Sequence, residues 1–548
     1  RGFGLDSAPR WFLAELPDGA ATPWDLAHAR VAAQLGVSES DVVFAEPDLF
    51  HNVYRDANEE EVGPAFAATD KCEANPQDGT HGKALGPEQF AWHLGPEFSQ
   101  LGAAREAVTF EDPRTRIAHL DTGYYRSHDT VPERILHNLE RSFVREDLNR
   151  QSAEDPDNSV FLIDNSGHGT GTIGILAGGQ APAFGGVYLG GAPQADVLPI
   201  RVADRVVLLS TSALAQAIDY AVEQRCDVAT LSMGGVPSRA WGEAVDRAYE
   251  AGLCLCAAAG NHVGFSPPRT LVYPARFSRV IAVCGVMADN RPYADLKGLK
   301  TLEGSFGPDS AMRAAIAAYT PNIPWPRFMC GEVVRLNGEG TSAATPQVAA
   351  AVALWFEKYK RDLPRDWRRV EAVRNALFTS AKLKSDRKHF GNGVLQARAA
   401  LEVKPAFGLR KSDASDDSWA FVRVITGLGI VEPSPREQMF NLELAQRWLL
   451  NEELQRLVPD PAAVSKLKDE DLRRFMKLVI EDEGASLALR KHVAARYPVA
   501  AGRSAPRTPK TKAVVPEVMR VCDAQPAVPD PPFRAVRVYA VDPSLSAR

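Results

Sequence analysis

Gly338-Glu339-Gly340-Thr341-Ser342-Ala343-Ala344-Thr345-Pro346 is the stretch that decides how this chain is read, and an alanine- and valine-rich run to Trp355 follows it. Proline is tolerated in a helix only near the first turn, because it lacks an N–H and crowds the preceding carbonyl. Pro346 therefore predicts a helix beginning just before it, with Ser342 at the N-terminus. Unpaired N–H groups and the helix dipole gather there and favour negative charge. A serine hydroxyl in that place needs an adjacent base to become a nucleophile. Its own backbone N–H is then a natural donor to the oxyanion it would create.

Upstream segments offer the rest of such a site. Ile117-Ala-His-Leu-Asp121-Thr-Gly123 is a short apolar strand ending in a carboxylate. Asn165-Ser-Gly-His168-Gly-Thr170 sets a histidine between glycines, which permit tight backbone packing around its ring. Ala257-Ala-Ala-Gly-Asn261 ends in an amide. Taken singly, Asp121 reads equally as a strand-end cap, His168 as a loop histidine and Asn261 as a turn residue beside Gly260. Together, carboxylate, imidazole, amide and hydroxyl are what acyl transfer requires.

Around them the pattern alternates. Strands are predicted at 116–120, 197–202, 228–232, 253–258 and 280–283, with helices at 212–223 and 241–250. Such alternation argues for a parallel sheet covered by helices on both faces. Asp121 then lies at the carboxyl end of a strand, where open α/β sheets hold ligands.

These boxes resemble the Asp, His and Ser motifs of the subtilisin-like (S8) peptidases, in that family's chain order. The resemblance covers about 89–402. It includes Tyr273-Pro-Ala-Arg-Phe-Ser-Arg-Val-Ile-Ala-Val and Phe390-Gly-Asn-Gly-Val-Leu-Gln-Ala, and Gln89-Phe-Ala-Trp-His-Leu resembles the start of the mature domain. It implies an α/β, three-layer fold with a mostly parallel sheet between helices. It also implies a serine endopeptidase working through an acyl-enzyme, with Asp121, His168 and Ser342 as triad and Asn261 in the oxyanion hole. Substrate would be a protein or peptide laid as an extended strand along Ser232-Met233-Gly234 and Ala258-Ala259-Gly260. Met233 and the alanines would line a mostly apolar pocket. The alternative is a catalytically silent module that binds peptides or proteins. No cofactor is required. Calcium is doubtful, since Thr130 stands where many relatives carry a ligand aspartate, although Asp155, Asp157 and Asp164 are other carboxylates in reach of a cation. Ala343 replaces a common methionine.

Outside that span, residues 1–52 resemble an inhibitory propeptide. Strands are expected at 11–16 and 42–46, with Thr22 capping a helix that opens at Pro23. That region would be an intramolecular inhibitor or chaperone. Residues 53–88 read as an acidic, Gly/Pro-rich linker. Residues 403–497 read as a helical extension, with periodicity at 441–457, 469–480 and 483–497, and as a place where a protein partner could dock. Residues 498–548 read as a Pro-rich tail with a terminal strand from Phe533.

Composition is that of an ordinary folded chain: 548 residues, 45% hydrophobic, 24% charged, net charge -6. It points to no nucleic-acid or membrane partner. Seven cysteines are odd in number and lack the spacing of a disulfide or zinc framework. Cys254 and Cys256 would share one strand face as buried thiols. Free thiols favour a cytoplasmic over a secreted location. The chain begins at Arg1, so a signal peptide removed earlier stays open.

Overall fold

The computed structural model describes residues 2–3, 11–17, 22–29, 44–49, 51, 72, 90–145, 147, 149–156, 167–206, 209–263, 269–296, 302–415, 421–426, 433–497 and 533–539. The expectations for residues 53–88 other than Cys72, and for 498–532, lie outside them. So do those for Gln89, Asp157, Asp164, Asn165, Ser166 and Cys522. Two compact units emerge. One joins Arg1–Arg55, Val236–Trp241 and Asp416–Arg548; the other joins Asp56–Gly235 and Gly242–Ser415.

The larger unit is built on a seven-stranded sheet. Its order is Ala315–Tyr319, Ile281–Val286, Cys254–Ala258, Val228–Leu231, Arg116–Asp121, Asp196–Arg201, Arg141–Ser142. Every neighbouring pair is parallel. Parallel sheets are covered on both faces, so their strands are apolar throughout rather than alternating. Ile281-Ala-Val-Cys-Gly-Val is buried at all six positions. The helix Thr211–Glu223 is capped by Ser210, whose hydroxyl accepts from Ala213 N at 3.1 Å. The edge strand Ala315–Tyr319 carries no polar alternation, and sequence reading passed over it.

The helix Gly340–Tyr359 runs through the core, buried from Gly340 to Glu357. Its alanine-rich surface lets it pack closely on the strands Cys254–Ala258 and Ile281–Val286 and on the helix His168–Ala177. Pro346 lies inside this helix rather than at its edge. The N–H that proline lacks would have bonded the carbonyl of Ser342. Ser232 supplies the missing donor, its hydroxyl reaching Ser342 O at 3.0 Å.

One expectation about the cysteines fails. Cys72 and Cys330 form a disulfide across 258 residues of sequence. Spacing could not show it, because the pairing is made by the fold and not by a local motif. Cys226, Cys254, Cys256 and Cys284 are free and buried, as small hydrophobes often are. Cross-linking so long a loop restricts the unfolded chain, typically by about 2–4 kcal/mol. Cys330→Ser should therefore melt below the wild type in non-reducing buffer. A reductant should erase the difference.

The smaller unit has a four-stranded sheet in the order Gly2–Phe3, Trp11–Pro17, Phe533–Tyr539, Phe44–Pro47. The strand Phe533–Tyr539 is antiparallel to both Trp11–Pro17 and Phe44–Pro47. The helix Pro23–Ala29 starts as predicted, with Thr22 Oγ1 accepting from Asp25 N at 3.2 Å. Pro435–Leu450 carries a full Ser434/Glu437 capping box. The expected helix 441–457 is two helices, because Asn451 ends one and caps Glu452–Leu457. Trp24 Nε1 donates to Gln446 Oε1 at 2.8 Å, which fastens the N-terminal helix to Pro435–Leu450. Residues 44–51 also hold residues 236–241. Glu46 accepts from Ser238 Oγ, Arg239 N and Ala240 N at 2.9–3.2 Å and so caps the helix Arg239–Glu250. His51 Nδ1 accepts from Val236 N, and its ring stacks on Trp241. Among the described residues no helix is long and apolar enough to cross a membrane.

Candidate active site

Asp121 ends the strand Arg116–Asp121, and His168 opens the helix His168–Ala177. Between them, His168 Nδ1 meets Asp121 Oδ1 at 2.7 Å. Gly169 makes this approach possible. A Cβ there would sit 1.9 Å from the carbonyl oxygen of Gly123, so only glycine lets the helix touch the turn after Asp121. Thr122 contributes twice: its Oγ1 accepts from Gly169 N at 3.1 Å, and its N–H donates to Asp121 Oδ1 at 2.8 Å.

Asp121 is 1% exposed. Burial pushes its carboxyl up, but the charge and hydrogen bond of His168, the nearby His119 and the Thr122 N–H together hold it below the usual carboxylate range. It is therefore ionised at neutral pH and fixes the ring nitrogen facing it as the donor. Trp325 lies edge-on to the His168 ring, with centroids 5.6 Å apart.

Sequence reading missed a support behind this pair. Thr172 Oγ1 donates to Asp121 Oδ2 at 2.9 Å, and His119 Nε2 lies 2.8 Å from the same Oγ1. The signal was present in the spacing. His119 shares a strand face with Asp121, two residues on, and Thr172 shares a helix face with His168, four residues back.

Ser342 occupies the third residue of its helix, where backbone N–H groups have no partner within the helix. Its Oγ donates to the carbonyl of Ser232 at 3.0 Å, and among the described residues no bond joins it to His168. Asn261 is tied to the same helix start. Its Oδ1 accepts from Thr341 N at 2.8 Å and lies 3.2 Å from Thr341 Oγ1. That fixes which end of the amide is oxygen. Gly340, at φ +73, sits so near that a Cβ on it would be 2.8 Å from Asn261 Nδ2.

The strands Val228–Leu231 and Cys254–Ala258 are sheet neighbours, and the six expected substrate-edge residues are Ala258 at the end of the second and five residues on their continuations. Ser232 and Met233 are buried, as are Ala258, Ala259 and Gly260. The Ser232 side chain is committed to the Ser342 carbonyl, so only its backbone is left to face a substrate. Among the described residues no three His, Cys, Asp or Glu side chains group to hold a metal. Thr130, at the position compared with the calcium site of relatives, is buried, with Oγ1 and N–H both turned to His128 Nδ1. Asp155 accepts from Gly167 N at 2.9 Å.

A carboxylate-oriented imidazole and a serine at a helix start, on a parallel α/β sheet, define a serine hydrolase. Residues 113–394 match the subtilase (peptidase S8) family, and the chain belongs to it. It is 31% identical to subtilisin DY of Bacillus licheniformis over 244 residues, 44% of this chain and 80% of that one. It is 29% identical to an intracellular serine protease of Paenibacillus polymyxa over 301 residues, 54% and 83% of the two chains. It is 30% identical to subtilisin NAT of Bacillus subtilis subsp. natto over 316 residues, 57% and 73%. The chain is a serine-type endopeptidase.

Proposed function

We propose that Ser342 is the nucleophile, His168 its base and Asp121 the group that orients and charges the base. The observation carrying this is the 2.7 Å contact of His168 Nδ1 with an ionised, buried Asp121, in a fold where Ser342 lies in the first turn of a helix and Asn261 bonds that helix's Thr341. For attack, Ser342 Oγ leaves the Ser232 carbonyl and gives its proton to His168 Nε2. The scissile carbonyl becomes a tetrahedral oxyanion, facing the Ser342 N–H and Asn261 Nδ2. Collapse releases the amine with that proton and leaves an acyl-enzyme, which water then hydrolyses. This division of roles is that of subtilisin.

The N-terminal region is proposed as an intramolecular inhibitor or chaperone. Glu46 and His51 support this, since both fasten residues 236–241, which follow Gly235 of the substrate edge. The C-terminal helices bury Trp448 and Phe475 within the smaller unit, which supports a stabilising role beside the docking role. On location, the Cys72–Cys330 bond weighs toward an oxidising compartment and against the cytoplasmic expectation.

A silent binding module is the second reading, favoured by Ser342 Oγ resting on the Ser232 carbonyl instead of on His168. A fluorophosphonate probe decides between the two. It should label the wild type and not Ser342→Ala. Labelling that survives the substitution removes Ser342 from the role. No labelling of wild type, even after removal of residues 1–88, leaves the silent module.

A further inference from the structure

Gly234 and Gly260 stand on the two continuations that flank Ser342 and Asn261. Ser232 exchanges two hydrogen bonds with Ser342, and Asn261 bonds Thr341. A carbonyl attacked by Ser342 Oγ, with its oxygen toward the Asn261 amide, lies at the mouth between these two continuations. The side chain one carbon away, that of the residue donating the scissile carbonyl, must enter between them.

That space already has an occupant. A Cβ added at Gly234 would meet Val272 Cγ2 at 2.4 Å, and one added at Gly260 would meet Val272 Cγ1 at 2.9 Å. One valine side chain thus reaches both walls with its two methyl groups. Its backbone is tied to both walls as well. Val272 N donates to Ala259 O at 2.9 Å, and Tyr273 exchanges hydrogen bonds of 2.9 and 2.8 Å with Gly235. A β-branched side chain has little rotamer freedom, so Val272 cannot swing clear of a bulky guest. It is 1% exposed, part of the packed wall rather than a mobile tip.

We infer that Val272 fills the depth of the pocket for the residue preceding the scissile bond, so that the chain cuts after glycine, alanine or serine and rejects leucine and phenylalanine. This rests on the proposed roles of Ser342 and Asn261. Specificity here is steric. Close-packed walls yield little, and forcing extra methylenes against them displaces side chains and backbone.

The test uses the full chain and a peptide series identical except for Gly, Ala, Ser, Leu or Phe before the scissile bond. Active sites are counted with the fluorophosphonate. One methylene in such a pocket changes kcat/KM by about 10–200-fold. The wild type should therefore favour Ala over Phe by about 100-fold or more. Val272→Gly should raise the Phe/Ala ratio at least about tenfold, and Val272→Ala should move it the same way by less. The alanine variant removes only two methyl groups and carries the test should the glycine variant not fold. A wild-type enzyme that cuts after Phe as readily as after Ala overturns the inference alone. So does a Phe/Ala ratio unmoved in both variants. Absence of both labelling and hydrolysis across the series overturns the peptidase roles of Ser342 and Asn261, and this inference with them.

Discussion

Gly340→Ala should lower kcat by about 100- to 1,000-fold while leaving KM within a few-fold. The range is that of subtilisin when one oxyanion donor is lost. Two independent strains meet at this position. Its φ of +73 lies in the left-handed region, which costs a non-glycine residue about 1–2 kcal/mol. The new Cβ would also stand 2.8 Å from Asn261 Nδ2, well inside contact distance. Either the amide moves or the first helical turn does. In both cases the Asn261 side chain and the Ser342 N–H no longer converge on one point. Asn261→Ala should produce a loss of the same size. The double variant should be little worse than either single one, because the two residues act as a unit. Steady-state kinetics on a chromogenic peptide checks this. Additive losses, or a KM effect with kcat intact, would place Gly340 outside the oxyanion site.

Acid should unfold the larger unit well before its carboxylates are protonated. His93 and His119 are fully buried, and burial lowers their pKa values to about 3 and about 4; Arg105 adds to the fall at His93, while at His119 the Asp121 charge opposes it and His168 adds to it. Both nitrogens of His93 lack a hydrogen-bond partner among the described residues, so nothing there favours the charged ring. His262 is lowered to about 4, by burial first and Arg269 second. Each would titrate near 6.5 when unfolded. Between pH 6.5 and about 4 the unfolded chain binds protons that the native chain refuses, so stability falls as pH falls. Each histidine contributes at most about 1.4 kcal/mol per pH unit. Asp121 adds a further loss below about pH 4, because its native pKa is held down. Tm should be level above pH 7 and drop steeply from pH 6.5 to 4. Calorimetry across that range measures it, and His119→Asn should flatten part of the slope. A Tm unchanged between pH 7 and 5 would contradict the assignment of neutral buried rings.

The four boxes were legible because each is local. Asp121 needs only a strand end, His168 a glycine on either side, and Ser342 a place in the first turns of a helix, which Pro346 limits to its N-terminal part. The paired strands and most helices followed from apolar runs and periodicity. What escaped was non-local. Cys72 and Cys330 are joined by the fold, 258 residues apart. Trp325 reaches His168 from a strand whose sequence says nothing of an active site. Val272 immediately precedes the segment that begins at Tyr273, and its place between Gly234 and Gly260 is a fact of packing. Ser232 was expected on the substrate edge, and its side chain serves a second purpose that sequence did not show, bonding the carbonyl freed by Pro346.

The strand Phe533–Tyr539 lies between Trp11–Pro17 and Phe44–Pro47, with Phe533 opposite Pro17 and Tyr539 opposite Trp11. Segments about 490 residues apart in sequence thus complete one sheet. On a ribosome adding roughly 5–20 residues per second, the N-terminal strands wait tens of seconds for the strand that separates them. The larger unit's sequence has by then been made in full. Until then the N-terminal region can act on the larger unit only without its completed sheet. Assembly of this sheet therefore follows synthesis of the larger unit, which ends at Ser415.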